Sequence, residues 1–427
     1  MKNFRTISPF LIGMILLTFI IPVQSAPVNV SVNPVPALLW SAPTGSTAFM
    51  SEHAAKVACS DDGKQVMAGY GAGIAELRDR QGRVLWRWQS SRPYYTVRQV
   101  TLSRDGEHAG LVLYDPLQNN KGEFDYFDRA GNLLWTYPLE NAFGFASLSM
   151  DGGVVALGDG NRISFFNMTG NRIGTTVLEG FLLDVAISDD GSIAATGISK
   201  RDFSGNLYAI DPDGTILWSS STIFRSEETA VSGDGQYIAG TESNRLRYFT
   251  AGGDRLWNFN SSPKFTGIAV SDNGAYVAAS SQYYLRYFDA PGVILWQYEV
   301  PSLPIRAGPY VGHLSMSGDG GYISVTTGGN RTLFFDRNGT ILWQQENPLS
   351  IVSTCLSRNG KNLAQGTEQE IRYFDTGIDV PADETAPAMV TTTEKTSLSP
   401  SPTPQVTVPA LLVPAGILAG ILARRKR

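Results

Sequence analysis

Histidine and cysteine, the residues that most often hold metals or act as nucleophiles, are nearly missing from this 427-residue chain, which has three and two of them. His53, His108 and His313 fall in different parts of the sequence at no metal-ligand spacing, so no metal centre is expected. Neither a Gly-x-Ser-x-Gly elbow nor a phosphate-cradling glycine loop occurs, and no catalytic residue or cofactor is assigned. Charge is scarce too, at 17% Asp, Glu, Lys and Arg. The net charge of −5 becomes −11 once Lys2, Arg5, Arg424, Arg425, Lys426 and Arg427 at the two ends are set aside. A body that acidic lacks the concentrated cations nucleic acid requires. Also lacking is the 3.6-residue period of amphipathic helices: apolar residues recur with period two, and Gly or Asp interrupts every six to eight residues.

What the chain has in quantity is one repeated phrase: an apolar run ending in Ser, a short step, then Gly. The serines are Ser60, Ser103, Ser149, Ser188, Ser232, Ser271, Ser317 and Ser357, spaced 39 to 46 residues apart. That period suits four-stranded propeller blades and exceeds those of short helical or leucine-rich repeats. One unit shows the pattern: Leu183 to Ser188 as strand A, Asp189-Asp190-Gly191 as a hairpin, Ser192 to Ile198 as B, Leu207 to Asp211 as C, a turn at Pro212-Asp213-Gly214, and Thr215 to Trp218 as D. The Asp and Asn residues before each Gly read as turn formers, since none has the spacing of a calcium loop.

Ala37-Leu38-Leu39-Trp40 reads as a D strand without A, B or C, whereas the last unit stops at Tyr373-Phe374-Asp375 without a D. Joined, they complete an eighth blade and remove the free edges an open ring would expose. The expected fold is therefore an all-β, eight-bladed propeller over residues 37–376. Trp40, Trp86, Trp135, Trp218, Trp257, Trp296 and Trp343 recur in D strands, which assigns them to packing between blades, and the third complete blade departs from the pattern at Gly174. Trp88 is read as the one tryptophan outside that set.

The phrase Leu207-Tyr208-Ala209-Ile210-Asp211-Pro212-Asp213-Gly214-Thr215-Ile216-Leu217-Trp218 resembles the repeat of pyrroloquinoline-quinone-like, WD40-like eight-bladed propellers. That superfamily holds quinoprotein dehydrogenases and also non-enzymatic members such as an outer-membrane assembly lipoprotein. The resemblance implies the fold more strongly than an activity. Its dehydrogenases stack the quinone between a Trp and a disulfide of adjacent cysteines; this chain has no Cys-Cys pair.

Both ends read as targeting segments. Lys2 and Arg5 precede the apolar run Phe10 to Ile21, and Val23-Gln24-Ser25 suits signal-peptidase cleavage before Ala26, making 1–25 a signal peptide and 26–36 a lead. Residues 377–405 form a Ser-, Thr- and Pro-rich stalk, and 406–427 an apolar segment closed by four basic residues. The tail resembles the sorting tails of archaeal surface proteins processed by archaeosortase-like enzymes. Where the best-known class carries Pro-Gly-Phe, this chain has Val408-Pro409-Ala410-Leu411-Leu412-Val413-Pro414. A retained span and a processed anchor both place the propeller at the cell surface. Sequons at Asn29, Asn167, Asn260, Asn330 and Asn338 suit N-glycosylation of an exported chain.

Cys59 and Cys355 fall in the A strands of the first and eighth blades, neighbours across the closure. A disulfide there would staple the ring in an oxidising compartment. Sheets pack about 10 Å apart whereas a bridge needs Cα atoms within about 7 Å, which favours two buried thiols.

Recognition is expected on one face. The A–B and C–D turns share a face and are uniformly tight. Length variation gathers in the B–C loops Asp115 to Glu123 and Ser199 to Gly205 and in the D–A crossovers Ser90 to Arg98, Ser220 to Glu228 and Val300 to Gly312. The candidate binding rim is Arg92, Tyr94, Tyr95, Arg98, Lys121, Arg201, Phe203, Arg225, Arg306 and Tyr310, rich in the Arg and Tyr that favour contact surfaces. The function expected is that of a surface binding or structural module for an envelope protein or glycan. An envelope-assembly scaffold is the alternative, and a quinoprotein dehydrogenase a third reading.

Overall fold

The computed structural model describes residues 36–378, apart from 45–54, 72, 93–94, 117–120, 142–143, 301–310 and 329. The signal peptide, most of the lead and stalk, the anchor, His53, Asn29, Tyr94, Arg306 and Tyr310 lie outside the described residues. Thirty-two strands form eight antiparallel sheets of four, and no helix occurs among the described residues. Blades 1 to 7 begin with the A strands Lys56–Cys59, Thr96–Leu102, Phe145–Leu148, Phe181–Ile187, Ser226–Val231, Phe265–Val270 and Val311–Met316. Blade 8 takes its first three strands from Ile351–Leu356, Asn362–Thr367 and Glu370–Asp375, and its outermost from Ala37–Pro43.

The closing strand does the work of an ordinary D strand, down to its irregularity. Every C–D pairing in the ring carries a register shift beside the Trp position, for example between Tyr248 and Phe249 in blade 5. The Ala37–Pro43 strand carries the same shift between Leu38 and Trp40, with Trp40 opposite Tyr373. A bulge at a fixed place re-aims one side chain, and here the residue concerned is the tryptophan.

Burial explains the residue choice. Middle strands lie between neighbouring sheets, so Gln65–Tyr70 and Gly205–Ile210 are buried throughout and read as near-continuous apolar runs. D strands are covered on one side only, and Arg255–Asn260 alternates between exposed and half-buried. The side chain that points inward reaches the next blade. The Trp218 indole N–H donates to the Ala251 carbonyl at 2.8 Å, and those of Trp40, Trp135, Trp257, Trp296 and Trp343 donate to corresponding turn carbonyls. The turn must come close: at Gly253, where φ is +90°, a Cβ would sit 2.7 Å from the Trp218 ring. Trp86 packs the same way against Phe127 at 5.5 Å, although its buried indole nitrogen finds no acceptor. Blade 3 has Gly174 in place of Trp, and a Cβ there would run into the Asp213 backbone of blade 4. Trp88 corrects the reading of the sequence, for it lies in the same D strand as Trp86, Val84–Gln89, and packs edge-on against Phe127.

The repeated Ser is a buried lock. In blade 4 the Ser188 hydroxyl donates to Asp190 at 2.7 Å and accepts from the Ile193 N–H at 3.2 Å, while Asp190 also accepts from the Ser192 N–H. The same hydroxyl-to-side-chain bond recurs in all eight blades, Asn273 and Asn359 replacing Asp in blades 6 and 8. Because the hydroxyl both donates and accepts, it fills a buried hairpin with no orphaned group. This is why Ser, not Ala, ends each A strand.

Candidate functional site

The structure separates the ten rim residues. Lys121, Arg201, Phe203 and Arg225 are exposed on the B–C and D–A loops. Arg92 is exposed, bridges Glu123 at 3.3 Å and lies over the Tyr95 ring at 4.9 Å. Tyr95 itself is not a surface anchor: it is 2% exposed and belongs to the core between blades 1 and 2. Its position after a Pro-containing loop disguised it, because aromatics in crossovers pack inward as readily as outward. Arg98 is likewise off the rim, half-buried on the inner strand of blade 2 with its guanidinium 5.6 Å from the Phe145 ring.

Around Phe203 and Arg225 a different set of side chains gathers. Val177 and Phe181 flank the crossover into blade 4, Phe203 caps its B–C loop, and Ile223 and Phe224 form the crossover out of it. They are 61, 59, 71, 68 and 52% exposed. Their backbones adjoin: a Cβ on Gly180 would lie 2.5 Å from the Ser199 carbonyl, and one on Gly205 would lie 2.8 Å from the Ser226 nitrogen. The outward aim of the second crossover has a local cause. Both the Ile223 and Phe224 N–H groups donate to one oxygen of Glu242, which is buried and paired with Arg247. With the backbone tied inward, the two side chains have only solvent to face. Phe203 adopts φ +65°, a left-handed conformation that is an outlier for a bulky residue and recurs at binding sites.

Charge around this patch is self-cancelling. Lys200 pairs with Glu179 at 2.9 Å, Arg225 with Glu227, and Lys264 with the same Glu227 at 3.4 Å. An exposed apolar cluster inside a neutralised polar border is the composition of a protein contact surface.

The opposite face holds a feature the sequence hid. The residue after each repeated Ser lies at the mouth of the ring axis, and in five blades it is charged: Asp61, Arg104, Asp189, Asp272 and Arg358. Arg358 reaches Asp61 at 3.2 Å, Asp189 at 2.9 Å and Asp272 at 2.5 Å; Arg104 reaches Asp189 and Asp272 at 3.0 Å each. Backbone bonds run beneath, including Asp61 N–H to Arg104 O and Gly318 N–H to Arg358 O, both 2.8 Å. Burial raises the Asp61 carboxyl to about 6 even though Arg104 and Arg358 pull it down. Burial works against the Arg358 guanidinium, yet Asp272, Asp61 and Asp189 hold it above its ordinary value. Five side chains from five blades thus form an ionic iris over a cavity of about 380 Å³.

Cys59 and Cys355 line that cavity and are bonded to each other, with Cα atoms 6.0 Å apart. This corrects the expectation of free thiols. The 10 Å spacing applies to the bodies of packed sheets, whereas inner strands converge on the axis and come within bridging distance.

No group of three or more His, Cys, Asp or Glu suited to a metal occurs among the described residues. His108 stacks on Tyr126 at 5.4 Å, and His313 stands in the inner strand of blade 7. The residues do not fit a quinone in the dehydrogenase manner. All described tryptophans stand in outer strands, and the two cysteines are joined across blades rather than adjacent. Among the sequons, Asn260, Asn330 and Asn338 are exposed, while the Asn167 side chain accepts from Thr169 and Asn171 within its turn.

Residues 203–349 match the family model described as outer membrane protein assembly factor BamB. That stretch runs from the last two strands of blade 4 through blade 7, and is what is similar to the BamB model. No curated protein matches the chain. Among solved structures, the C-terminal WD40 domain of Sif2 is similar with a TM-score of 0.67 at 14% identity, covering 82% of this chain and 100% of that one. At that identity the likeness is one of fold. The class the fold defines is an eight-bladed β-propeller, with similarity to BamB-type repeats over residues 203–349.

Proposed function

We propose that this chain is an exported propeller, tethered at the cell surface through its C-terminal tail, that binds another envelope protein on the loop face of blade 4. The observation that carries the reading is the exposed cluster of Val177, Phe181, Phe203, Ile223 and Phe224. A soluble fold leaves few contiguous apolar patches uncovered, and aromatic side chains at the centre of such a patch supply most of a contact's free energy. The paired charges around it favour a protein over an anionic lipid surface or a nucleic acid. Tethering is supported by the stalk and the apolar, basic-ended tail, both outside the described residues; among those described, no helix is long and apolar enough to cross a membrane.

Photocrosslinking in intact cells tests the docking face. A benzoylphenylalanine at position 203 or 224 should yield one discrete adduct, which Phe181→Ser with Ile223→Ser should abolish, while the same probe at Asp213 on the turn face should yield none. Equal adducts from both faces would defeat the assignment. Release of the propeller by protease treatment of intact cells checks the surface address. The match to an assembly-factor model favours, as a second reading, a partner that is itself under assembly. In that case the adduct should form with newly made rather than mature partner.

A further inference from the structure

Above the iris, the inner strands carry charged side chains that the docking face does not use. Lys56 begins the inner strand of blade 1, Arg98 lies in that of blade 2 and His313 in that of blade 7. Asp184 lies in blade 4 and Glu228 in blade 5. The sequence order of an eight-membered ring sets blades 1 and 5 opposite each other across the axis. Cations and carboxylates are thereby sorted onto two walls. Burial first and like charge second disfavour ionisation on each wall: Arg98 acts on Lys56 and Lys56 on His313, while Asp184 acts on Glu228. Each wall thus works against its own ionisation, a tension that an ion of opposite sign would relieve.

On these innermost strands Lys56, Arg98, Asp184 and Glu228 are half-buried and His313 is exposed. Asp184 is fixed by the Thr229 N–H and hydroxyl at 2.9 and 3.1 Å and by the Val185 N–H. By contrast, the side chains of Lys56 and Glu228 make no hydrogen bond or ion pair among the described residues. Directly below, four of those five strands line the 380 Å³ cavity through Ala58, Gln99, Val185 and Met316, a volume at the small end of ligand sites. The iris lies at the turn-face end of these strands.

We propose that the axial channel binds a small zwitterion, its anionic end on the Lys56 and Arg98 wall beside His313 and its cationic end on the Asp184 and Glu228 wall. The class follows from the sorted charges, since a simple anion or cation would satisfy one wall and leave the other uncompensated. Burial and the neighbouring Asp184 and Glu227 raise the Glu228 carboxyl to about 8, against the pull of Lys264. A bound ammonium group should therefore expel a proton near neutral pH.

Calorimetry on the purified full chain tests this with glycine oligomers of one to four residues as probes. At least one free oligomer should bind. Blocking its amine by acetylation or its carboxylate by amidation should each weaken binding more than tenfold. Lys56→Gln and Glu228→Gln should do likewise while circular dichroism shows an unchanged fold, and the binding heat should vary with buffer ionisation enthalpy in the wild type but not in Glu228→Gln. Phe203→Ser, on the docking face, should bind the probe normally. Absence of binding by every oligomer, equal binding of the blocked forms, or full affinity in both channel variants would overturn the proposal.

Discussion

The two faces of the ring are made from the same strands, yet one is bonded shut and the other turns a cluster of apolar side chains outward. On the turn face, each blade ends in a Ser lock, and five blades add charged side chains that clasp one another across the axis. On the loop face, five large apolar side chains of blade 4 and the adjoining edge of blade 3 turn outward, one of them in an unfavourable backbone conformation. Repetition explains the difference. A hairpin that recurs eight times can be optimised once, whereas a loop that differs in every blade is free to diverge toward a contact. The turn face should therefore hold most of the stability, and the loop face should tolerate change.

The largest expected effect comes from opening the ring. Deleting Ala37–Pro43 bares the edge of Glu370–Asp375 and removes Trp40 from its place against the Gly82 turn. The loss should be at least about 4 kcal/mol by the cost of emptying an aromatic site, with aggregation through the bared edge. A monomeric deletion variant with the wild-type melting midpoint would mean that the closing strand is decoration.

Next in size is the staple. Replacing Cys59 and Cys355 by Ser frees a 296-residue separation and should cost about 3 to 4 kcal/mol, because the unfolded chain regains its conformational freedom. Reductant should lower the urea midpoint of the wild type and leave that of the double variant unmoved. If reductant has no effect on the wild type, the bridge is not formed in solution.

Arg358→Met is expected to cost about 2 kcal/mol, less than the loss of a fully buried charge partner because the iris is partly open to solvent. The variant also sharpens a pH effect. Asp61 is raised in the folded state, so its contribution is complete below about 3.8 and is lost as pH rises to about 6. Asp61→Asn should flatten that slope in a melting series, and Arg358→Met, which removes one of its two cations, should steepen it. Identical slopes in all three proteins would show that Asp61 does not titrate in this range.

These features were unequally legible in the sequence. The period, the locks and the shared blade could be read because each rests on residues close in the chain or repeated eight times. The iris could not be read that way. Asp61, Asp189, Asp272 and Arg358 are far apart, and each looks like one more turn residue beside its Ser; only the ring radius brings them together. An aligned column of the positions after each Ser would have shown the signal, since charge of both signs there contrasts with the invariance of Ser. The Cys pair was misjudged for a related reason, the convergence of inner strands on the axis. Tyr95 and the blade 4 cluster show the converse limit. A single apolar residue in a loop carries no information about whether it packs inward, as Tyr95 does, or joins four others on the surface.

The smallest effect should come from the loop face, and its sign is informative. Phe203 occupies a left-handed conformation at φ +65° with its side chain 71% exposed, so the folded state bears a backbone penalty and gains little packing in return. Glycine adopts that conformation without a clash, although it also enlarges the freedom of the unfolded chain, and the two effects nearly offset. Phe203→Gly should therefore change stability by no more than about 0.5 kcal/mol in either direction, measured by urea unfolding. The variant should nevertheless lose most of the adduct formed by a probe at position 224, since a central aromatic in a contact patch carries a large share of the binding energy. Arg358→Met should do the reverse, destabilising the ring while leaving the adduct intact at temperatures where it is folded. If Phe203→Gly instead costs more than about 1 kcal/mol, Phe203 is packed against the propeller, and the contrast between a locked face and a free one fails at the residue where it is clearest.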